Sequence, residues 1–379
     1  MMRPASDVER RRLNDTFARL CSIPSPFGSE RACAEAVARE LRTMGLDVEE
    51  DGAAPDTGAE CGNLLTRIPG RGERTIMLCA HLDTVPEDGV ITPVVDDGGW
   101  VSAGDTILGA DNKAAVAVIL ELARRCAIEG SPVGLELLFT VSEENALAGA
   151  KAFDVRTLRS DWGYVFDHAS PIGEIIVAAP TYYRFDAEFR GTPAHAGIRP
   201  EDGRSAIEAA ARAIGAMTLG RIDEETTTNV GRIEGGQVGG TNIVAARCRL
   251  VGEARSLDPH KADDTIAAII GHIHDAANTP ACFCDVDITT ERLFDGYRHA
   301  ANAPAVLAAE EALRACGYAP RRRTTGGGSD ANAFEAAGLH CTNLANGTER
   351  NHEPDERFSV AALEGMLDVA YALLDACSA

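Results

Sequence analysis

No stretch of this 379-residue sequence approaches the ~20 consecutive apolar residues that cross a membrane. Its first residues, MMRPASDVERRRL, are polar and lack the apolar core of a secretion signal. No C-x-x-C pair occurs among the 11 cysteines, and their odd number and scatter fit a reducing compartment better than a disulfide framework. Internal repeats and low-complexity tracts are missing too. Positive charge is scarce: 36 Lys and Arg face 58 Asp and Glu, for a net charge of −22 and a pI near 4.8. The arginine runs 10–12 and 321–323 are too short to reverse that balance. A surface this acidic disfavours nucleic acid and anionic lipid. Together these absences predict a cytoplasmic protein that partners neither a membrane nor a nucleic acid. The length exceeds what one core usually supports, so two domains are expected.

What is present is concentrated between residues 75 and 150, in the motifs TIMLCAHLDTVP, ILGADNKAAVAVILELA and LELLFTVSEENALAGA. The apolar run 76–80 turns abruptly to His81 and Asp83, and 135–141 ends in Ser142, Glu143 and Glu144. A shorter run, 164–166, ends at Asp167. Apolar runs with polar ends suit parallel strands covered on both faces. Ligands of open α/β sheets bind beyond the carboxyl ends of such strands. Residues 114–127 are apolar almost all round and predict a buried helix that begins beside Asp111. Carboxylates that converge repel one another and lose hydration, so they need protons, basic partners or a cation. Lys113 is the one basic residue in the three motifs. A divalent metal, or a pair, is the simplest remedy. Histidine with carboxylates suits zinc, with cobalt or manganese also accepted.

The rest of the chain frames this stretch. A first amphipathic helix is expected over 7–21, and a second from Ser29 as N-cap to about Met44, closed by Gly45. Strands are expected at 64–68 and 74–80, and a hairpin over 90–103 around the turn 96–99. Near Ala179 the character changes. Tyr183, Phe185, Ala187 and Phe189 alternate with charged residues, which marks a half-exposed antiparallel strand. Helices at 205–217 and 260–277 and strands at 229–234, 243–255 and 283–289 give the order β-α-β-β-α-β of a ferredoxin-like sandwich. Cys282 and Cys284 would share one face of the last strand. Two helices cannot cover both faces of such a sheet, which leaves surface for a second subunit. After about residue 293 come a helix at 303–316, a glycine-rich turn at 325–331 that opens another helix, and a strand at 340–344. A loop at 346–354 carrying His352 and a C-terminal helix at 360–377 follow. The expected architecture is an α/β catalytic domain with a mixed, mostly parallel sheet, residues 1–180 and 294–379. It is interrupted by an inserted ferredoxin-like α+β lid domain, residues 181–293.

The motifs HLDT (81–84), GADNKA (109–114), SEEN (142–145), Asp167 in YVFDH, GTPAHAG (191–197), TNIV (241–244), EARS (253–256), GGGSDAN (326–332) and His352 occur in a specific order and spacing. From about residue 23 onward the chain resembles the di-zinc metallopeptidase family that includes peptidase T, carboxypeptidase G and aminoacylase, nearest its peptidase-T-like members. The resemblance implies a zinc-peptidase catalytic domain with two Zn2+ per subunit. One metal would take His81, Asp111 and Asp167, and the other Asp111, Glu144 and His352, with Asp111 bridging. Asp83 would accept the His81 imidazole N–H. Glu143 would move a proton from the attacking water to the leaving amine, and the Asp111–Asn112 peptide bond would be cis. His195, Asn242, Arg255 and the backbone of Gly327 and Gly328 would contact the substrate, with an anion cradle at Gly326–Gly328. His168, beside Asp167, is not required by the family pattern. A homodimer through the lid is implied; the expectation is that His195 acts across it, with action in its own chain as the alternative.

The function so implied is a zinc-dependent exopeptidase of the peptidase T type that acts on short peptides. An N-acyl-amino-acid or dipeptide hydrolase is the alternative. A catalytically dead metal-binding protein is disfavoured, because every position of the pattern is filled. Two departures stand out. Asn112 replaces the second of two adjacent aspartates, and the loop ERNHEPDER around His352 is unusually acidic and contains proline. The latter bears on substrate selectivity more than on metal binding.

Overall fold

Every residue of the strand Gly134–Thr140 is buried, and so are all but the first of Thr75–His81. Such strands need cover on both faces, and the fold supplies it. The computed structural model describes residues 2–237 and 239–378. It divides the chain into one unit of Met1–Ala178 with Arg298–Ala379 and a second of Ala179–Tyr297.

In the first unit the main sheet includes strands in the order Glu49–Glu50, Leu64–Ile68, Gly134–Thr140, Thr75–His81, Trp162–His168, Cys341–Ala345 and Glu174–Ala179, the last of which also pairs with Arg321–Thr324. The four from Gly134–Thr140 to Cys341–Ala345 are parallel, and the flanking Leu64–Ile68 and Glu174–Ala179 join antiparallel. The sheet is thus mixed and mostly parallel, and the carboxyl ends of its four central strands lie along one edge. Helix Ala110–Glu129 is buried over most of its length, as its lack of a polar face requires. The helices Asp7–Cys21, Arg31–Thr43 and Val360–Cys377 pack against it. Its regular winding begins only after Asp111 and Asn112, which have non-helical backbone angles. The hairpin Pro93–Asp96 and Gly99–Ser102 pairs with Arg357–Ser359, which pairs in turn with Thr348–Glu349. The loop bearing His352 therefore connects two strands of a small separate sheet.

The second helix departs from expectation at its start. Its N-cap position is Glu30 rather than Ser29, and the Glu30 side chain makes no capping bond. That carboxylate is engaged elsewhere, as described below.

In the second unit the strands order as Gly220–Arg221, Thr226–Gly235, Arg247–Ser256, Thr181–Arg190 and Asp285–Phe294, all antiparallel. Helices Ala206–Ala216 and Pro259–Ala277 pack on one face around Phe185, Phe189, Leu250 and Ile273. The other face is a ladder of charges in which Arg249 pairs with Asp186 (2.5 Å) and Arg247 with Glu188 (3.0 Å). The third long strand begins at Arg247 rather than 243, because residues 242–244 pair instead with the loop around His195. The last begins at Asp285 rather than 283. Cys284 N–H donates to Ala277 O, so Cys282 and Cys284 lie in the turn that closes the preceding helix. The unit spans 179–297 rather than 181–293, since Gly296 N–H donates to Thr181 Oγ1 and ties its two ends together. All 11 cysteines are free thiols.

One buried ion pair fastens the first unit. Arg125 on the central helix is 3% exposed. It donates to Glu9 at 2.7 Å and lies 3.4 Å over the Tyr371 ring. Burial opposes ionisation of Glu9, but bonds from Arg125, Arg3 and Ser6 outweigh it and hold the carboxyl well below its usual range. Its contribution to stability is present above the unfolded pKa near 4.3 and is lost as pH falls through the lowered folded value. Glu9→Ala leaves Arg125 buried without its partner and should cost about 3–5 kcal/mol in urea unfolding near pH 7. The deficit relative to wild type should shrink as the pH is lowered, and a loss below about 1 kcal/mol would show the pair to be incidental.

Candidate metal centre and active site

The parallel strands deliver their end residues to one place. His81 ends its strand, Asp167 is the penultimate residue of Trp162–His168, and Glu143 and Glu144 follow Gly134–Thr140. Asp111 enters from the start of the central helix, where its peptide bond to Asn112 is cis. His352 enters from the small-sheet loop with a left-handed backbone (φ 69°).

Two triads result. His81 Nε2 lies 3.4 Å from Asp111 Oδ1 and 3.6 Å from Asp167 Oδ1. His352 Nε2 lies 2.8 Å from Glu144 Oε1 and 3.3 Å from Asp111 Oδ2. The two carboxylate oxygens of Asp111 thus face different histidines. Donor atoms of His81, Asp111 and Asp167 fall within 4.8 Å of one another, as do those of Asp111, Glu144 and His352. A third such group, His81, Glu143 and Glu144, overlaps both.

The electrostatics call for positive charge here. Burial by itself would lower the pKa of His81, but Asp167, Asp111 and Asp83 raise it well above its usual value. Bonds to Asp111 and Glu144 raise His352 to about 10. Burial, then the charge of Asp167, pushes Glu143 well up, and burial with Asp111 does the same to Asp167. The surrounding carboxylates thus favour positive charge on both histidines. His81 Nε2 and Asp111 Oδ1 are nevertheless buried without a hydrogen-bond partner. A divalent cation between them would satisfy both atoms, and His with carboxylate oxygens is a donor set that zinc accepts. These residues fit a pair of metal ions.

The supporting residues were less visible in the sequence. Four successive N–H groups at the end of Gly134–Thr140 each donate to a side-chain oxygen from elsewhere. Val141 donates to Asn63 Oδ1 (3.1 Å), Ser142 to Glu30 Oε1 (3.1 Å), Glu143 to Asp83 Oδ1 (3.0 Å) and Glu144 to Asp83 Oδ2 (3.0 Å). The Asp83 carboxylate therefore holds the Glu143–Glu144 backbone. The nearest acceptor of His81 Nδ1 is the backbone carbonyl of Asp83 (3.0 Å), with the Asp83 carboxylate at 3.4 Å. Glu356, 2% exposed, accepts from the N–H groups of Leu108 and Gly109 (2.8 Å each) and Asp111 (3.2 Å). Burial, then the Asp111 charge, raises its carboxyl to about 7. Asn351 Nδ2 donates to Asp111 Oδ2 at 2.8 Å. Asp330, raised to about 6 by burial, accepts from Thr140 Oγ1 at 2.5 Å. Glu356 and Asn351 sit within the acidic loop around His352, where nothing local distinguishes a buried carboxylate from its exposed neighbours.

The glycine turn differs from an open cradle. Gly327 N–H donates to Thr325 Oγ1, and the helix that follows, Asp330–Ala336, has only seven residues. Gly328 lies beside it, just before the N-cap Ser329. In the second unit His195 is exposed and bridges to Ile243, while Ala196 N–H donates to Asn242 O, so His195 and Asn242 lie together. Arg255 is elsewhere. It opposes Tyr182, stacks 4.0 Å over that ring and pairs with Glu253 (3.1 Å). His168 belongs to none of the three donor groups.

A mostly parallel sheet whose carboxyl edge gathers two His–carboxylate triads around a shared aspartate is the framework of a two-metal hydrolase. The chain belongs to the peptidase family M20/M25/M40, whose profile matches residues 77–376. The crystal structure of aminopeptidase PepT from Bacillus cereus is 36% identical to it, covers 98% of this chain and 99% of its own, and superposes with a TM-score of 0.89. A tripeptidase from Staphylococcus aureus is 32% identical over 97% of this chain and 98% of its own, with a TM-score of 0.92. Among protein sequences, the Bacillus subtilis protein YqjE, described as uncharacterized, is 36% identical over 97% of this chain and 99% of its own length.

The raised pKa of His352 predicts how metal enters. Below about pH 10 the metal-free side chain carries a proton that a ligand must shed, so apparent affinity should rise with pH through the neutral range. Zinc titrated into chelator-stripped protein at pH 7 should release protons, seen as a dependence of the calorimetric heat on the buffer's ionisation enthalpy. Uptake without proton release would refute this protonation state.

Proposed function

We propose that this chain is a zinc-dependent exopeptidase of the cytoplasm that removes the N-terminal residue from short peptides, tripeptides above all. The observation that carries this reading is the pair of triads sharing Asp111, in a chain that matches an aminopeptidase and a tripeptidase over nearly its whole length. One zinc would be held by His81, Asp111 and Asp167, and the other by Asp111, Glu144 and His352. When bound, the metals supply Lewis acidity toward the peptide carbonyl and make bound water more acidic. Glu143 would bind neither metal. Its raised pKa suits a group that takes a proton from the attacking water and delivers it to the departing amine. Asp83 fixes the backbone of Glu143 and Glu144, and its carbonyl directs the His81 ring. The backbone of Gly327 and Gly328 would contact the substrate.

The inserted unit would act as a lid, and the spacing of residues within it supports a site shared between subunits. His195 lies beyond Arg190 at one end of its sheet, whereas Arg255 lies near the other end. From Arg247 to Arg255 alone the strand runs about 27 Å, while an extended tripeptide spans about 10 Å. A single extended tripeptide is shorter than that separation, which supports His195 and Arg255 serving different substrates. Arg255 would serve as a fork for a substrate carboxylate or carbonyl. His195 and Asn242 would reach the partner's site in a homodimer formed through the lid, with His195 donating to the oxyanion.

Three measurements test this. In a hydrolysis screen, tripeptides with a free amine should exceed dipeptides and N-acyl amino acids in kcat/KM, and a preference for N-acyl substrates would replace the exopeptidase reading. Glu143→Ala should lower kcat by about 10²–10⁴-fold with both metals bound, and an empty metal position in that variant would make Glu143 a ligand. Glu143→Ala and His195→Ala homodimers should each be nearly inactive, and activity should return when they are mixed and exchange subunits. Confirmed hybrids that stay inactive would place His195 in its own chain's site.

A further inference from the structure

We propose that Glu30 is a positioning residue for Glu143: its carboxylate holds Ser142 in the backbone conformation that sets where the next residue stands. The proposal rests on the reading of Glu143 as the base. Glu30 is 0% exposed and occupies the N-cap position of helix Arg31–Thr43, where a side chain would ordinarily serve its own helix. It does not. Its Oε1 accepts instead from Gly28 N–H (2.8 Å), Ser142 N–H (3.1 Å) and the Ser142 hydroxyl (3.0 Å). Two of the three donors thus belong to one residue 112 positions away.

Ser142 is the pivot. Its φ of 52° lies in the left-handed region that serine seldom occupies. At 1% exposure its N–H has no water to turn to. Both of its donors are satisfied by Glu30 Oε1, so the left-handed turn persists because that oxygen is there. On one side Asn63 holds Val141, and on the other Asp83 holds Glu143 and Glu144. If the Glu30 oxygen withdraws, the turn must find another acceptor, and Glu143 is the first residue displaced. A general base has to stand within hydrogen-bond reach of its proton, and a misplacement of about 1 Å can cost roughly 10²-fold in rate. A helix cap has been given up to hold the base, the kind of local rule-breaking expected beside an active site.

Glu30→Gln and Glu30→Asp separate acceptor position from charge. Glutamine keeps an oxygen where Oε1 stands and removes the charge, while aspartate keeps the charge and withdraws the oxygen by one methylene. Glu30→Gln should retain kcat at least about tenfold above Glu30→Asp, which should fall by about 10²-fold with KM nearly unchanged and both metals retained. In the metal-free proteins, amide exchange over residues 142–147 should be faster in Glu30→Asp than in wild type, and near wild type in Glu30→Gln. Ser142→Ala deletes one donor and should shift both readouts the same way by less. It carries the test if Glu30→Asp does not fold. Wild-type kcat in Glu30→Asp, or in Ser142→Ala where Glu30→Asp cannot be obtained, overturns the proposal. The reverse order of Gln and Asp overturns it too, by making charge the operative property. Metal loss in Glu30→Asp would tie Glu30 to Glu144 instead. If the wild-type protein cleaves no peptide, the exopeptidase reading fails, while the exchange measurements still decide whether Glu30 holds the turn.

Discussion

Carboxylates gathered in a dry place repel one another, and the first unit is organised around that constraint. Asp83, Asp111, Glu143, Glu144, Asp167, Asp330 and Glu356 all approach the carboxyl edge of one sheet. They are tolerated in three ways. Asp83 and Glu356 sit on backbone N–H groups. Asp111 and Glu144 face histidines, and Glu143, Asp167 and Asp330 are pushed toward their protonated forms by burial. The site is therefore poised to exchange protons for metal ions, which is what a two-metal hydrolase requires.

The same constraint explains the packing around the site. A strand end that carries two acidic residues cannot be steadied by apolar contact, so its N–H groups are pinned by Asn63, Glu30 and Asp83. The loop of His352 is held by a small sheet shared with the hairpin between the first two motifs. Its buried Glu356 grips the backbone that presents Asp111. The two segments of the first unit are thereby tied to each other beside the candidate metal ligands, by polar bonds in a protein interior where each is worth more than at the surface.

Much of this was legible. Fully apolar runs such as 76–80 announced parallel strands because burial on both faces leaves no room for alternation. The alternating segment from Tyr183 announced a one-sided sheet for the opposite reason, and the helices do cover a single face. What misled were boundaries and local propensity. Ser29 is a good capping residue by type, yet Glu30 takes the cap position. Ile243 and Val244 read as strand, yet they pair with the His195 loop rather than the main ladder. Each was decided by a partner remote in the chain, which no local window contains.

The sequence by itself determined the class of chemistry. Apolar runs that end in histidine and carboxylates put those residue types at one sheet edge, because periodicity and polarity are local properties, and the resemblance to a metallopeptidase family supplied the roles expected of them. Only the tertiary structure decided how those residues are held. Glu30, Asn63 and Glu356 look like ordinary polar residues of loops and helix ends until folding removes water and leaves backbone N–H groups that only they can satisfy. It decided too that Arg255 and His195 stand at opposite ends of one sheet, since that distance follows from strand register and pairing rather than from composition.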